Sequence, residues 1–375
     1  MEAARAGFST LVVDRRPPLS EDSRIRPQLL VARRGDLAHL AHLGVDVRDS
    51  RIVSPLSSRC EGDLASGRTV RGDVVTLRGL PERPRDLWEL STQPPFALVP
   101  IGRLQAALLK KAIAAGVTVR YECDVTRVRR HARFASFVCA DGTSVRAAMI
   151  VLATGAARSL LSSLSTTASV MSGQSARMIG GLYDLSGAVG RWIRVEFPVP
   201  GLSEAARCTI LQAPSQTSSG TAVLVAPQVA GTPTDEQLQH AYYLAARAHG
   251  LEGAPELLAP MVFDTSVTTM TRRYLAGDGR APIVIAGDAA QTGHVFSGQT
   301  CFVNLALVLV LGEHLRKARA ALYARRVNDA ALVNALAHYN EESAIGAAIL
   351  ARISQRHYEK HQAGAWAHAG IARQD

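Results

Sequence analysis

The segment "GRAPIVIAGDAAQTGHVFSGQT", residues 279–300, carries the most informative pattern in the chain. An apolar run ends in Gly287 and Asp288, and small and polar residues follow before the next helical stretch. Apolar strands that end in Gly or Asp just before a helix are typical of the nucleotide crevice of open α/β sheets. We therefore expect the Asp288 carboxylate to reach a sugar hydroxyl while the following helix faces a pyrophosphate. A helix that is merely capped is the alternative interpretation.

Two other predicted strands end in the same way. "STLVVDRR" places Asp14 at a strand end, where a carboxylate can accept hydrogen bonds from a ribose diol. "MIVLATGAARS" ends a strand in Thr154 and Gly155, where the backbone can approach a ligand closely. The alternative for Asp14 is a turn or a helix cap, and for the Thr-Gly pair a simple turn.

The order of predicted elements indicates an α/β protein with a second unit. With 375 residues the chain exceeds the ~250 to 300 residues at which single cores stop growing, so we expect two unequal units. "MEAARAG" predicts a helix and "FSTLVVD" a strand. From about residue 165 to 270, strand-like runs such as "RWIRVEFPV" predict an antiparallel sheet, and residues 303–360 have helical spacing.

Composition limits the partners and the compartment. The net charge is +10, but the arginines are scattered and no recognition motif appears, so we expect no nucleic-acid partner. The five cysteines are odd in number and lack a C-x-x-C pair, which favours reduced thiols and a cytoplasmic location. The longest apolar run, near 305–311, is shorter than the ~18 residues of a membrane span, so none is expected.

These stretches, taken in order, resemble the class A FAD-dependent monooxygenases of the aromatic-hydroxylase and squalene-epoxidase type. The helix end and second strand of their FAD-binding unit resemble "ARAGFSTLVVDRRP", and their Arg-x-x-Leu helix resembles "LVPIGRLQAALLKKAIAAGVTV". The strand before their Asp-Gly segment is similar to "MIVLATGAARSLL". Their Gly-Asp motif is similar to "VIAGDAAQTGHVFSGQTCFVNLAL", which is the most specific of the matches.

The resemblance implies a Rossmann-like FAD-binding domain of the glutathione-reductase type, an inserted antiparallel-sheet substrate domain and a helical C-terminus. We expect the FAD-binding domain to be built from three parts, residues 1–70, 98–164 and 273–375, of which the last includes the C-terminal helices. Substrate-domain strands are expected in 71–97, and the main substrate-binding sheet in 165–272. The helical tail can pack on the FAD-binding domain or support a homodimer.

Site residues carried over from the family follow position by position. Asp14 matches the acid at the adenosine ribose, and Asp288 matches the Gly-Asp carboxylate. The other FAD-binding matches are two arginines, three glycines and a threonine, namely Arg34, Arg103, Gly155, Gly287, Gly298 and Thr154. The arginines can equally be solvated on helix surfaces.

The family's mechanism implies that reduced flavin traps O2 as a C4a-hydroperoxide, which transfers one oxygen to a hydrophobic small molecule, such as a secondary metabolite. NADH or NADPH would be the reductant. His294 is a catalytic candidate that can orient a substrate or donate a proton, or it is a core histidine. Substrate candidates from the sheet domain are Tyr183, Trp192 and Arg194, and alternation places about half of any strand's residues on the outer face.

Departures from the family pattern keep a second hypothesis open. The first strand and its G-x-G-x-x-G loop lie ~20 residues before the ribose acid, which from Asp14 means before Met1, so we expect the chain to be N-terminally truncated relative to the family. Thr154 stands where the family has Asp, and Gly298 is followed by Thr300 instead of a second Gly. The alternative is a flavoprotein-like scaffold with lost or weakened FAD binding that acts as a non-redox cyclase or binding protein.

Overall fold

The computed structural model describes residues 1–19, 28–61, 69–70, 95–155, 159–162, 164, 166, 168–171, 175–183, 190–197, 206–214, 221–228, 233–248, 251, 253–264, 266–324 and 330–362. The helices are α1 (Glu2–Arg5), α2 (Arg34–His42), α3 (Ile101–Ala114), α4 (Ser159–Ser162), α5 (Asp235–Ala248), α6 (Thr300–Tyr323) and α7 (Ala330–Gln362). Two 3₁₀ turns, Gly287–Ala289 and Val295–Ser297, precede α6.

The first ten strands are β1 (Leu11–Val13), β2 (Leu29–Arg33), β3 (Ser54–Glu61), β4 (Thr69–Val70), β5 (Pro95–Pro100), β6 (Thr118–Arg120), β7 (Val125–Arg130), β8 (Ala135–Cys139), β9 (Ser144–Ala147) and β10 (Ile150–Leu152). The others are β11 (Ala168–Met171), β12 (Ser175–Tyr183), β13 (Gly190–Phe197), β14 (Ala206–Pro214), β15 (Thr221–Gln228), β16 (Glu256–Leu257), β17 (Met261–Asp264), β18 (Val267–Met270), β19 (Tyr274–Leu275) and β20 (Ile283–Ile285).

Parallel pairing occurs at two separate places in the α/β part of the chain. β1 pairs with β6, and β10 pairs with β20, which also carries β19 antiparallel on its other edge. In the described part of the chain no strand joins these two pieces. Leu11, Val12 and Val151, which belong to β1 and β10, are about two-fifths exposed. Among the described residues, the parallel strands of this part therefore form two short sheets.

Most of the remaining strands form one large mixed sheet. Its order is β16-β12-β15-β14-β13-β3-β5-β2, with β17 paired to β12 and β4 paired to β3. The pairs among β12, β13, β14 and β15 are antiparallel, which confirms that this part of the chain forms an antiparallel sheet. The domain limits themselves stay predictions, and residues 71–94 lie outside the described ranges.

A disulfide joins the turn after β6 to the end of β8. Cys123 and Cys139 were expected to be reduced, and that prediction was wrong for this pair. The reason is the β7–β8 hairpin, which places Val125 opposite Cys139 and brings the two cysteine Cα atoms to 5.9 Å, within disulfide range. Both cysteines are buried. Spacing along the sequence gave no sign of this contact.

The long helices α6 and α7 pack together and form the base of the α/β part. Their apolar residues share one core with Val284 of β20 and with Ala6, next to α1. At the far end of α6, the Tyr323 hydroxyl donates to the Gly7 carbonyl and the Tyr323 ring stacks on Phe8, with centroids 5.7 Å apart. Hence α6 extends from the second 3₁₀ turn to the loop that leads into β1.

Two negative findings apply to the described ranges. No helix there is both long enough and apolar enough to cross a membrane. The same ranges contain no group of three or more His, Cys, Asp or Glu residues that could hold a metal ion.

Candidate active site at the Gly-Asp turn

The Gly-Asp turn lies at the end of the most deeply buried strand of the α/β part. All three residues of β20 have no solvent exposure, because β10 and β19 flank the strand and apolar residues cover both of its faces. The chain then turns at Gly287, with φ of 62°, and presents Asp288. The sequence folds this way because a β-branched apolar run meets a residue that readily adopts positive φ.

The Thr-Gly turn of β10 lies at the same sheet edge. Leu152 is in parallel register with Ile285, and the Ala286 N–H donates to the Leu152 carbonyl at 2.9 Å. Because parallel neighbours end at the same edge, Thr154 and Gly155 come together with the Gly-Asp turn. The structure thus brings four predicted site residues to one edge.

The Asp288 carboxylate is held from α6. The Asn304 side-chain amide donates to Asp288 Oδ1 at 2.8 Å, and Asn304 is largely buried in the first turns of the helix. Asn304 in turn accepts a hydrogen bond from Gln291 at 3.2 Å. The carboxylate is therefore fixed by its own neighbourhood before any ligand arrives.

The loop beside this carboxylate leaves room for a ligand. Gly298 has φ of 63°, and a Cβ placed there would be 4.0 Å from its nearest neighbour, Val31 Cβ. A Cβ at Gly287 would meet nothing within 4 Å. Positive φ explains why glycine occupies both positions, and the space beside them allows a ligand to lie against the backbone.

Burial perturbs two acidic groups close to the start of α6. It raises the pKa of Asp36 to about 7, and the Asp36 carboxylate accepts a hydrogen bond from the Arg33 N–H at 2.7 Å. It also raises the pKa of the Cys301 thiol to about 12, and the charges of Asp288 and Asp36 add to that shift. Asp36 and Cys301 are therefore buried from water, whereas Asp288 itself is exposed.

Asp14 lies in a different setting, at the end of β1. Arg16 donates from Nε and its terminal nitrogen to the two Asp14 oxygens, at 3.0 and 2.7 Å, and its backbone N–H adds a third contact. The Asp14 side chain is 25% exposed and that of Arg16 is 50% exposed. The β1–β6 sheet has no described pairing with β10 or β20, so strand pairing does not bring Asp14 to the Gly-Asp edge.

The two predicted arginines lie beyond the carboxyl ends of two neighbouring antiparallel strands, and so at opposite ends of that strand pair. Arg34 follows β2 and Arg103 follows β5, and these strands are antiparallel, with Leu29 opposite Pro100. Their carboxyl ends therefore point in opposite directions. Arg34 begins α2 directly after β2, whereas the charge of Arg103 acts on Asp49.

His294 is fully buried against α7. Its backbone N–H donates to Ser354 Oγ at 3.0 Å, and its ring stacks on His357 with centroids 5.9 Å apart. The structure thus places this residue between the two 3₁₀ turns, with its ring directed at a helix. A direct contact with substrate stays a prediction.

No protein-family model matches the chain, and no curated protein sequence matches it. Solved structures, in contrast, are similar over most of its length. PqsL, a probable FAD-dependent monooxygenase from Pseudomonas aeruginosa, is 16% identical, with 97% of this chain and 93% of that chain covered and a TM-score of 0.65. Aklavinone-11 hydroxylase, solved with FAD and aklavinone, is 21% identical, with 85% and 60% covered and a TM-score of 0.59. The chain has the fold of the FAD-dependent aromatic hydroxylases.

The hydroxylase fold is not restricted to oxygenases among the similar structures. PyrE3, a Diels-Alderase of pyrroindomycin biosynthesis, is 18% identical, with 97% of this chain and 74% of that chain covered and a TM-score of 0.56. At these identities the likeness establishes the fold and leaves the reaction to the site residues.

Within this hydroxylase fold, the large sheet has two apolar faces. We call the first the α5 face, because Ile179, Ile210 and Val223 pack there against α5. Tyr183 belongs to the same cluster, and its ring stacks on Tyr242 of α5 with centroids 6.5 Å apart. The predicted substrate residue Tyr183 thus lies beneath a helix.

The second face packs against the loop between Gly287 and Gly298. We call it the Val295 face, because Val295 packs on the cluster formed by Leu29, Leu98, Met178, Leu211 and Ala213. None of these residues was among the substrate candidates predicted from the sequence. Alternation in "SARMIGGLY" separates Met178 from Ile179, but a single strand does not show which face α5 covers.

Trp192 and Arg194 are described only by their backbones. Both belong to β13, where Trp192 is in register with Leu211 and Arg194 with Thr209. Their side chains lie outside the described residues, so their substrate contacts stay predictions.

Proposed function

We propose that this chain binds FAD at the Gly-Asp edge and acts as an FAD-dependent monooxygenase on a hydrophobic small molecule, such as a secondary metabolite. One observation carries the proposal. Two parallel strands end side by side in Thr154-Gly155 and Gly287-Asp288, next to open glycine backbone, in a chain with the hydroxylase fold. NADH or NADPH as reductant and a cytoplasmic location belong to the same proposal.

The residues present fit FAD in three respects. The Asp288 carboxylate can accept hydrogen bonds from sugar-like hydroxyls, and it is already oriented by Asn304. The backbone at Gly287 and Gly298 has free space on the side where a Cβ would stand. The N-terminus of α6, which begins at Thr300, offers N–H groups and a positive dipole end to a phosphate.

By the family's pattern, Asp14 at the adenosine ribose and the arginines Arg34 and Arg103 near the FAD would complete the site. FAD, once reduced, supplies the oxygen-activating chemistry, which protein side chains cannot provide. The chain's own part is to bind, to orient and to exclude water. The Val295 face serves the last two roles, because its apolar residues lie directly against the loop that carries Gly298.

His294 is proposed to act by holding this loop. Its backbone bond to Ser354 and its ring contact with His357 tie the segment between Asp288 and Gly298 to α7. A histidine with no exposed surface keeps the loop in one place even when no substrate is bound. We propose the same role for it in the loaded protein.

The first test is the visible absorbance of the purified protein before and after incubation with FAD and gel filtration. Flavin bands that travel with the protein, and that are lost in Asp288→Ala while the variant stays folded by circular dichroism, are the expected result. Oxidation of NADH or NADPH by the loaded protein is then measured with and without candidate hydrophobic substrates. A folded protein that stays colourless at high FAD concentration would contradict the proposal.

A second function, a non-redox cyclase, is supported by the similarity to the Diels-Alderase PyrE3. The products separate the two functions. A monooxygenase product gains one oxygen atom and requires reductant and O2, whereas a cyclisation product has the mass of its substrate and forms without either. Mass spectrometry of anaerobic and aerobic reactions distinguishes them.

A further inference from the structure

Arg273 is a buried cation outside the predicted site. It is 2% exposed, follows β18, and donates to Ser343 Oγ at 2.6 Å and to Gln291 Oε1 at 2.8 Å. Its backbone N–H donates to Asn340 Oδ1 at 3.0 Å. Among the described residues, none of these partners is a carboxylate. A buried charge is costly unless a counter-charge or a complete set of hydrogen bonds compensates it.

A chain of hydrogen bonds leads from this cation to the Gly-Asp carboxylate. Gln291 accepts from Arg273 and donates to Asn304 Oδ1 at 3.2 Å. Asn304 then donates to Asp288 Oδ1 at 2.8 Å. We call these four side chains the Arg273 relay. It connects the segment between β18 and β19, the Gly-Asp turn and the first turns of α6.

The two ends of the relay determine the direction of every hydrogen bond in it. A guanidinium only donates and a carboxylate only accepts, whereas a side-chain amide has one donating and one accepting end. Arg273 therefore forces Gln291 to present its oxygen, and the Gln291 amide must then donate to Asn304. Asn304 is left with its amide directed at Asp288. The amide orientations follow from the ends of the chain rather than from a choice of flips.

We propose that Arg273 is a positioning residue for Asp288, acting through Gln291 and Asn304. The relay runs from a buried cation to the carboxylate and holds that carboxylate in one orientation for the hydroxyl groups of FAD. This inference rests on the proposed FAD site for its role in binding, but the coupling between Arg273 and Asp288 is a property of the chain without FAD.

The coupling is tested first without FAD, by urea unfolding of Arg273→Met, Asp288→Asn and the double variant. Residues in one hydrogen-bond network show interaction energies that correspond to roughly twofold to 150-fold in an equilibrium constant. We expect Arg273→Met to change the equilibrium constant of unfolding by a smaller factor in the D288N background than in the wild-type background. The two factors should differ about fivefold or more. The same effect of Arg273→Met in both backgrounds would overturn the proposal, whether or not the protein binds FAD.

Gln291→Leu keeps the volume of the central link and removes its hydrogen bonds, so the coupling should vanish in that background. It also leaves Arg273 bonded to Ser343, which guards against simple unfolding. The matched control is Arg272→Met, because Arg272 is the exposed neighbour that lies over the Tyr274 ring. This control should leave the coupling and the FAD affinity unchanged.

Gln291→Glu separates positioning from mere stabilisation. The new carboxylate gives Arg273 a charged partner, so the fold should be at least as stable, but it cannot donate to Asn304 at neutral pH. We expect FAD affinity to fall about tenfold while urea stability holds or rises. Unchanged affinity in a wild type that binds FAD would overturn the positioning role. A wild type that binds no FAD would refute the proposed function and leave the unfolding cycle as the deciding test.

Discussion

Asp288 and Asp14 occupy the same kind of position and differ in almost every physical respect. Each is an acid at the end of a strand. Asp288 is exposed and is held by Asn304, a largely buried amide at the start of α6. Asp14 instead is partly buried and pairs with Arg16, two residues along the chain. Both sites have an acid directly after a strand, but the residues that contact the two carboxylates differ.

The difference indicates which acid dominates ligand affinity. A ligand hydroxyl at Asp14 must compete with a neighbouring arginine, whereas Asp288 is already oriented by a neutral amide. We therefore assign the larger share of FAD affinity to the Gly-Asp turn. Four predictions examine this comparison.

The largest effect is expected for the pH dependence of stability around Asp36. Its folded pKa of about 7 lies above the ordinary value of about 3.9, so the folded protein keeps a proton that the unfolded chain releases. The free energy of unfolding therefore falls as the pH rises from about 4 to about 7. Asp36→Asn should remove this pH dependence. The free energy of unfolding of D36N minus that of wild type should therefore increase by up to about 4 kcal/mol between pH 4 and pH 7.

Urea unfolding between pH 4 and 8 measures this difference. The asparagine keeps an oxygen that can accept from the Arg33 N–H, so the start of α2 is preserved. Asp46→Asn is the control, because Asp46 is an exposed acid that also accepts a backbone hydrogen bond, from Arg48. Parallel pH curves for wild type and D36N would show that burial does not raise the pKa of Asp36.

The second prediction concerns the disulfide on the Asp14 side. The Cys123 N–H donates to the Asp14 carbonyl, so the bridge to Cys139 anchors the end of β1. A loop of this length, with a sequence separation of 16, contributes about 3 kcal/mol in the chain-entropy model. Reduction of the wild type should lower stability by that amount, while the C123S/C139S variant should not respond to reductant. Identical unfolding curves for oxidised and reduced wild type would contradict this.

The third prediction compares the two acids directly. Asp288→Ala should weaken FAD binding by roughly 10-fold to 150-fold, the range for hydrogen bonds to a charged group, whereas Asp14→Ala should weaken it less than about fivefold. Flavin fluorescence titrations of both variants give the two dissociation constants. Equal losses would mean that the ion pair with Arg16 does not discount the Asp14 contact.

The smallest effect is expected for Arg16→Ala. Removing this partner releases the Asp14 carboxylate, so FAD binding should tighten by no more than about fivefold, and stability should change by less than about 1 kcal/mol. The same titrations and urea curves apply. Weaker FAD binding in R16A would instead assign Arg16 a direct contact with the ligand.

Sequence patterns predicted the strand ends well because those depend on local chemistry. An apolar run followed by Gly-Asp or Thr-Gly fixes where a strand stops, and β10 and β20 end as expected. The fold class was predictable for the same reason, since strand-like and helical runs follow each other in a recognisable order.

Long-range features were not predictable. The pairing of Cys123 with Cys139 depends on a hairpin, and the position of Tyr183 depends on which face of a sheet α5 covers. The Arg273 relay joins residues up to 31 positions apart, from Arg273 to Asn304, and neither Arg nor Gln is distinctive by itself. Such contacts arise from packing between elements, which local propensity does not encode.

Helix α6 places a constraint on how this chain can change in length. It starts two residues after Gly298 and ends at Tyr323, which contacts Gly7 and Phe8 ahead of β1. Its 24 residues span about 36 Å without a break. One inserted residue would turn the far end by about 100° and carry Tyr323 away from both contacts. Substitutions can accumulate along α6, but insertions and deletions within it should be selected against.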